Sequence, residues 1–398
     1  MSIDNKDKIL NVPNLRFPEF GGEWEKGSLM NIASISKGSG ISKEQLSDSG
    51  LPCILYGELY TKYKSEVITD IYSKTDIETK GLVSSKANDV IIPCSGEAAI
   101  EIATARCVPM SNILLGGDLN IIRLNGHDGR FFAYQLNGKR KIDIAKVAQG
   151  VSVVHLYGEH LKKINVAYPS FAEQNKIAHL LSLIDKRIVS QNKIIEKLES
   201  LIKGICNKLL FADNGKPVRL IDILTERTEK TKENNQHEVL SSTVKGIFSQ
   251  REYFSKDIAS ENNIGYKIIR LYDIVLSPQN LWMGNINYNE KFKVGIVSPS
   301  YKIFSIKAEF DKRFVAFMLK THRALYNYML VSEQGASVVR RNLNMEAFEQ
   351  LVFRMPPYDK QREIGKTLSF LQSRLDLETE IKLDYEQQKK YLLTEMFI

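Results

Sequence analysis

The sequence predicts an α+β protein: two pseudo-symmetric α/β domains separated by two long antiparallel coiled-coil helices. Three observations lead there. First, a set of motifs occurs twice. Asp128-Gly129-Arg130-Phe131-Phe132-Ala133-Tyr134, Gln149-Gly150-Val151-Ser152-Val153-Val154 and Gln174 return as Asp311-Lys312-Arg313-Phe314-Val315-Ala316-Phe317, Gln334-Gly335-Ala336-Ser337-Val338-Val339 and Gln361. The copies are offset by roughly 185 residues throughout, the mark of an internal duplication. Second, each copy ends in a long stretch whose apolar residues alternate at spacings of three and four, the pattern of a helix with one buried stripe. Third, the segments in between hold short β-rich runs bounded by glycine turns.

In the first copy the runs Asp89-Val90-Ile91-Ile92, Ile113-Leu114-Leu115 and Leu119-Asn120-Ile121-Ile122 read as strands, followed by a short helix from Arg130. Asp273-Ile274-Val275-Leu276, Gly295-Ile296-Val297 and Tyr301-Lys302-Ile303-Phe304 are expected to take the same places in the second copy. The first long helix has Leu181, Ile188, Ile195, Ile202 and Leu209 at one heptad position and Ile177, Ile184, Gln191, Leu198 and Ile205 at the other. At 1.5 Å per residue it is about 50 Å long. Tyr168-Pro169-Ser170 precedes it and Ala212-Asp213-Asn214-Gly215-Lys216-Pro217 follows, both stop signals. The second helix carries Ile364, Leu368, Leu371, Leu375, Ile381, Tyr385, Leu392 and Met396, but Glu378, Lys382 and Lys389 fall on its seam. A helix with one apolar stripe needs a partner, and the economical partner for each is the other. The expected domains are residues 1–170, a central helix 171–212, a second domain 213–357 and a C-terminal helix 358–398.

A chain of 398 residues with 43% hydrophobic content supplies two or three cores, and a net charge of +8 favours an anionic partner. Cys53, Cys94, Cys107 and Cys206 form no Cys-x-x-Cys pair and have no histidine at zinc-ligand spacing, so buried free thiols in the cytoplasm are expected and no metal site. The polar stretch Met1 to Lys8 and the lack of an apolar run of membrane-spanning length point to neither signal peptide nor membrane anchor.

Several of these features come together in one family. The opening Val12-Pro13-Asn14-Leu15-Arg16-Phe17-Pro18-Glu19-Phe20 with Trp24-Glu25, the Gln-Gly-x-Ser block before each long helix, and the proline followed by Glu173-Gln174 or Lys360-Gln361 resemble the specificity subunit of type I DNA restriction–modification systems. The resemblance covers essentially the whole chain. It implies two target-recognition domains, each reading half of a split site in double-stranded DNA, held apart by the helices as a ruler. It also implies two methyltransferase subunits that bind S-adenosylmethionine, and restriction subunits that use ATP and Mg, with no cofactor on this chain.

Base readout needs paired donors and acceptors, whereas phosphate contacts use cations, hydroxyls and amides. The loop Lys37-Gly38-Ser39-Gly40-Ile41-Ser42-Lys43 suits a phosphate backbone, with Lys37, Ser39 and Lys43 as contacts, or is simply solvated. Tyr56, Glu58, Tyr60, Lys62 and Tyr63 mix aromatics with charge; Glu58 could accept from a cytosine amino group, or the segment is a packed strand. Ser95 follows a strand, as do its counterparts Gln279, Asn280 and Trp282, of which the amides suit adenine and the tryptophan suits a core. Gln149 and Ser152 with His155, and Gln334 and Ser337 with Arg340 and Arg341, form twin small polar blocks able to approach phosphates or to make a tight turn. Lys245 and Gln250 complete the candidates.

Three catalytic look-alikes are weak. Met355-Pro356-Pro357-Tyr358 has methionine where adenine methyltransferases need an amide or acid, Gly365-Lys366-Thr367 lacks the upstream glycine of a phosphate loop, and Asp76, Glu78 and Lys80 are one short nuclease-like match. The expectation is a non-catalytic DNA-recognition subunit. Its rivals are a self-contained methyltransferase or nuclease, and a coiled-coil scaffold that binds no DNA.

Overall fold

The computed structural model describes residues 11–209, 215–253, 262–334 and 341–398. The chain divides into two compact units, Met1–Asn192 with Glu380–Ile398, and Lys193–Thr379.

In the first unit, four antiparallel strands lie in the order Ala33–Lys37, Leu119–Leu124, Asp89–Pro93, Arg106–Val108. Alternate side chains enter different cores, which is why Asp89–Pro93 is apolar almost throughout. Val90, Ile92 and Ile122 join Phe131, Phe132 and the long helices, whereas Ile91 and Ile121 join Ile54, Leu59 and Leu115 on the other face. That second face is covered by a small sheet of Leu46–Ser47, Ser73–Thr75, Leu51–Ile54 and Leu114–Leu115.

The second unit repeats the plan. Its sheet runs Leu224–Glu226, Lys302–Ile306, Ile274–Leu276, Ile286–Tyr288. Ile274, Leu276 and Phe304 pack with Phe314 and Leu368, while Val275 and Ile303 pack with Leu240, Ile269 and Val297. The pairing Lys216–Arg219 with Val352–Met355 matches Glu25–Ser28 with Asn165–Tyr168.

The expected equivalence of the second runs holds: Leu114–Leu115 adds in parallel to Leu51–Ile54 and bridges Ser84 antiparallel, as Val294–Val297 bridges Val239 in parallel and pairs antiparallel with Lys267–Arg270. Both lie outside the main sheets, whose fourth strands are Arg106–Val108 and Ile286–Tyr288. A short apolar run shows that a strand is buried, but not which neighbour its backbone bonds to.

The long helices are Phe171–Leu209 and Tyr358–Glu395. Their seams follow the sequence pattern: Ile177, Leu181, Ile184, Leu368 and Leu392 are buried, and Ile188, Ile195, Leu198, Ile202, Ile205, Leu371, Leu375 and Tyr385 are half-buried. The Leu209 side chain lies outside the described residues. Ile177 to Ile188 share a core with Tyr385, Leu392 and Met396, while Ile202 and Ile205 share one with Ile364 and Leu368. The start of each helix thus meets the end of the other, the order an antiparallel pair requires. Each compact unit incorporates part of both helices.

The charges on the second seam have specific partners. Lys389 Nζ lies 2.5 Å from Glu66 and 2.6 Å from Asp185, and the Tyr134 hydroxyl donates to Asp185 at 2.7 Å. Burial pushes the Asp185 carboxyl up, with Lys389 opposing; burial would lower the Lys389 ammonium, but Glu66 and Asp185 hold it above its usual value. Glu378 is buried and paired with Arg374.

Candidate nucleic-acid interface

The repeated motifs first prove to be joints. Asp128 and Asp311 cap the helices Gly129–Asn137 and Lys312–Leu319, accepting from the Arg130 and Phe131 amides and from the Phe314 amide. Gln174 accepts from the Asp128 amide at 3.0 Å and donates to the Pro169 carbonyl at 2.8 Å. Gln361 does the same with the Asp311 amide at 3.0 Å and the Pro356 carbonyl at 2.8 Å. Each glutamine therefore ties a long helix to its globular part. Arg16 donates twice to Glu173 at 2.8 Å, and Trp24 Nε1 donates to the same carboxylate, which accounts for the N-terminal motif. Gly365 exists for close approach: a Cβ there would lie 2.5 Å from Asp311 Oδ1. Met355 is a buried strand residue, and Asp76, Glu78 and Lys80 are exposed. Met355 and Gly365 thus have structural places.

In the first unit most candidate contacts gather at one end of the main sheet. Lys37 pairs with Asn120 and Pro93 with Leu119, so the loops after Lys37 and Pro93 leave the sheet side by side. The Gln149 block is a hairpin: Gln149 and His155 exchange backbone hydrogen bonds at 2.9 and 2.7 Å. Val154–His155 then pairs with Ser95–Gly96, seating the hairpin on the loop after Pro93. Gly150 has φ +125°, and a Cβ there would stand 2.0 Å from the Val153 carbonyl, so only glycine fits. At the tip Val151 is 96% exposed, and Ser152 and His155 are exposed too.

Beside it, Gly40 to Lys43, Tyr56, Glu58, Lys62 and Gly116 to Asp118 line a cleft of about 840 Å³. Lys43, Tyr56 and Lys62 are exposed. Tyr60 is half-buried, and burial, with Tyr56, Glu101, Glu97 and Asp118 adding to it, pushes its hydroxyl up to about 12, leaving it protonated as a donor. Ser39 accepts from the Val83 amide and Ser95 donates to Asp118.

Two expectations here are corrected. Glu58 is 5% exposed and accepts from the Leu55 amide, Lys62 and Ser73, so its carboxylate holds the turn that presents Lys62 and is not itself turned outward. Tyr63 is 4% exposed and packs in the core with Ile54 and Leu59. For these two the packed reading holds, although the segment opens with a helical turn, Glu58–Thr61, and not a strand. The exposed Tyr157, whose ring lies 6.2 Å from that of His155, went unremarked; its position two residues on was the available signal.

The second unit builds the same place from other residues. Ser332–Gln334 pairs with Arg341–Leu343, Gln334 lying opposite Arg341 as Gln149 lies opposite His155. The Arg341 amide donates to the Gln279 carbonyl at 3.1 Å, which seats this hairpin on the loop after Ile274–Leu276. The Arg341 guanidinium stands 5.0 Å over the half-buried Trp282 ring. Gln279 is exposed and Asn280 half-buried. Ser337 and Arg340 lie outside the described residues. Two further candidates are elsewhere: Lys245 lines a cleft with Asn287 to Lys291, Arg313 and Lys320, and Gln250 donates to Ser241.

Cys53, Cys94 and Cys107 are buried free thiols and Cys206 is half-buried; burial raises Cys53, Cys94 and Cys206 to about 11. Among the described residues, no group of His, Cys, Asp or Glu could hold a metal ion, and no helix is long and apolar enough to cross a membrane.

The family described as the type I restriction modification DNA specificity domain matches twice, over residues 21–200 and 216–387. A protein of Methanocaldococcus jannaschii described as the type I restriction enzyme MjaX specificity subunit is 22% identical over 96% of this chain and 95% of its own. Among solved structures, a type I restriction–modification S subunit from M. genitalium shares the fold with a TM-score of 0.65 at 16% identity, covering 97% of this chain and 99% of that one. The twofold match covers most of both units and most of each long helix, so this chain belongs to the type I restriction–modification DNA specificity family and is a non-catalytic recognition subunit.

Proposed function

We propose that each unit reads one half of an asymmetric, two-part site in double-stranded DNA. The observation that carries this is the repeated seating of a Gln hairpin on the loop that leaves the middle of the main sheet, with different residues in each copy: Ser95 and His155 in one, Gln279 and Arg341 in the other. An equivalent place with unlike side chains is what two readers of unlike sequences require. Lys37, Lys43 and Lys62 would contact phosphates, making binding fall with salt.

The long helices would set the distance between half-sites and dock two methyltransferase subunits, which restriction subunits join. Exposed Ile194, Leu201, Phe370 and Leu377 on the helices support a docking role, since apolar side chains on a helix face mark contact surfaces. S-adenosylmethionine would belong to the methyltransferase, and ATP and Mg to the restriction subunit. The test is to exchange residues 1–170 for those of a relative and to map methylated adenines with the partner methyltransferase present. One half of the site should change and the other stay; a change in both halves overturns the division of labour.

A further inference from the structure

We infer that Arg341 is a base reader: its guanidinium recognises the O6 and N7 edge of a guanine in the second half-site, with Trp282 as the residue that positions it. The inference rests on the two-half reading above and goes further by assigning one side chain to one base type.

Four observations converge. The Arg341 backbone is fixed, pairing with Gln334 and donating to the Gln279 carbonyl, so the side chain starts from the junction of the two loops that carry most candidate readers of this unit. The guanidinium carbon lies 5.0 Å over the Trp282 ring. Stacking uses the face of an arginine and leaves its edge donors free to point at an acceptor. That edge is underused. Among the described residues Nη1 reaches only the Met329 carbonyl, at 3.4 Å, and the buried Nε has no partner. Among the described residues no carboxylate pairs with Arg341, whereas Arg16, Arg123, Arg130, Arg227 and Arg270 each hold one. An arginine held in two places, with one long hydrogen bond from Nη1 and no carboxylate partner among the described residues, matches the bidentate geometry of guanine.

The duplicated frame adds a control within the molecule. The place of Arg341 is taken in the first unit by His155, which pairs with Gln149 and Ser95. Positions 155 and 341 are therefore equivalent points at which the two readers diverge.

The experiment uses the full chain with its partner methyltransferase on a library of duplexes, reading methylated adenines together with the salt dependence of binding. The wild type should require guanine at one position of the second half-site. Arg341→Ala should lower that preference about 5- to 160-fold and leave the first half and the salt slope unchanged. Arg341→Lys is the deciding variant: it keeps the charge but not the fork, so it should behave like Arg341→Ala. Trp282→Phe should keep the guanine preference and Trp282→Leu should weaken it. If Arg341→Lys behaves as wild type, or if Arg341→Ala weakens all sequences equally and lowers the salt slope by about one, Arg341 contacts phosphate and the inference is overturned. A second half-site without guanine overturns it as well, while leaving two-half reading intact. A wild-type complex with no two-part site overturns both.

Discussion

Replacing Lys389 with methionine should destabilise the first unit more than any single change on the exposed surface of the helices. The lysine is largely buried between Glu66 and Asp185, which are themselves buried, and Tyr134 supplies the remaining hydrogen bond to Asp185. Methionine preserves the apolar stem and removes the charge, so two carboxylates stay buried without a cation. Removing one partner of a buried ion pair costs about 3–5 kcal/mol. For a folding unit of this size that corresponds to roughly 6–20 °C in melting temperature. The Asp185 carboxyl is already held above its ordinary value by burial, so the folded state favours its protonated form, and its contribution falls as pH rises from the unfolded value through the folded one. Losing Lys389 removes the group that opposes this shift, moving the window upward. The deficit of Lys389→Met relative to wild type should therefore be smaller at about pH 5 than at about pH 7.5. Thermal melting of the full chain, followed by circular dichroism at both pH values, measures it. Combining Lys389→Met with Glu66→Gln and Asp185→Asn should recover most of the loss, because no bare charge remains. A triple variant no more stable than the single one, or a deficit that grows on acidification, would refute the reasoning.

Three other outcomes follow from the duplicated joints and the hairpin. Gln174→Ala and Gln361→Ala each strip a buried amide and carbonyl of their partners, so each should cost about 2–4 kcal/mol, and the two should be close to equal in denaturant unfolding. Gly150→Val should leave the melting temperature nearly unchanged but abolish selection of the first half-site in methylation mapping, since a Cβ at that φ collides with the Val153 carbonyl in a surface hairpin. Lengthening both long helices by one heptad should change the number of unspecified bases between half-sites by about three, from a rise of 1.5 Å per residue against 3.4 Å per base pair; an unchanged spacer in the methylation map argues against the helices as a ruler.

Much of this architecture could be read from the chain because it depends on order and period. The duplication is a matter of covalent sequence, and a seam at spacings of three and four needs only helix geometry to become a buried stripe; Ile177 through Ile205 and Ile364 through Met396 follow it. Even the interruptions Glu378 and Lys389 are on the seam, as their spacing requires. The Gln149-Gly150 block was open to two readings, phosphate contact or tight turn, and Gly150 has the backbone that a turn requires and other residues resist.

What the tertiary structure alone decided involves partners far apart in sequence. Leu114–Leu115 and Val294–Val297 leave the main sheets to join Leu51–Ile54 and Lys267–Arg270, and Glu58 turns inward because Ser73 and Lys62 lie on its buried side. Lys389 looked like a flaw in a seam until Glu66, far removed along the chain, supplied its counter-charge. Arg341 was one basic residue among several until Trp282 and Gln279 gave it an orientation. Periodicity determines which face of an element is buried; which groups meet across that face depends on the packing of distant segments, and the pairs that meet are those whose charge and hydrogen bonds survive removal from water.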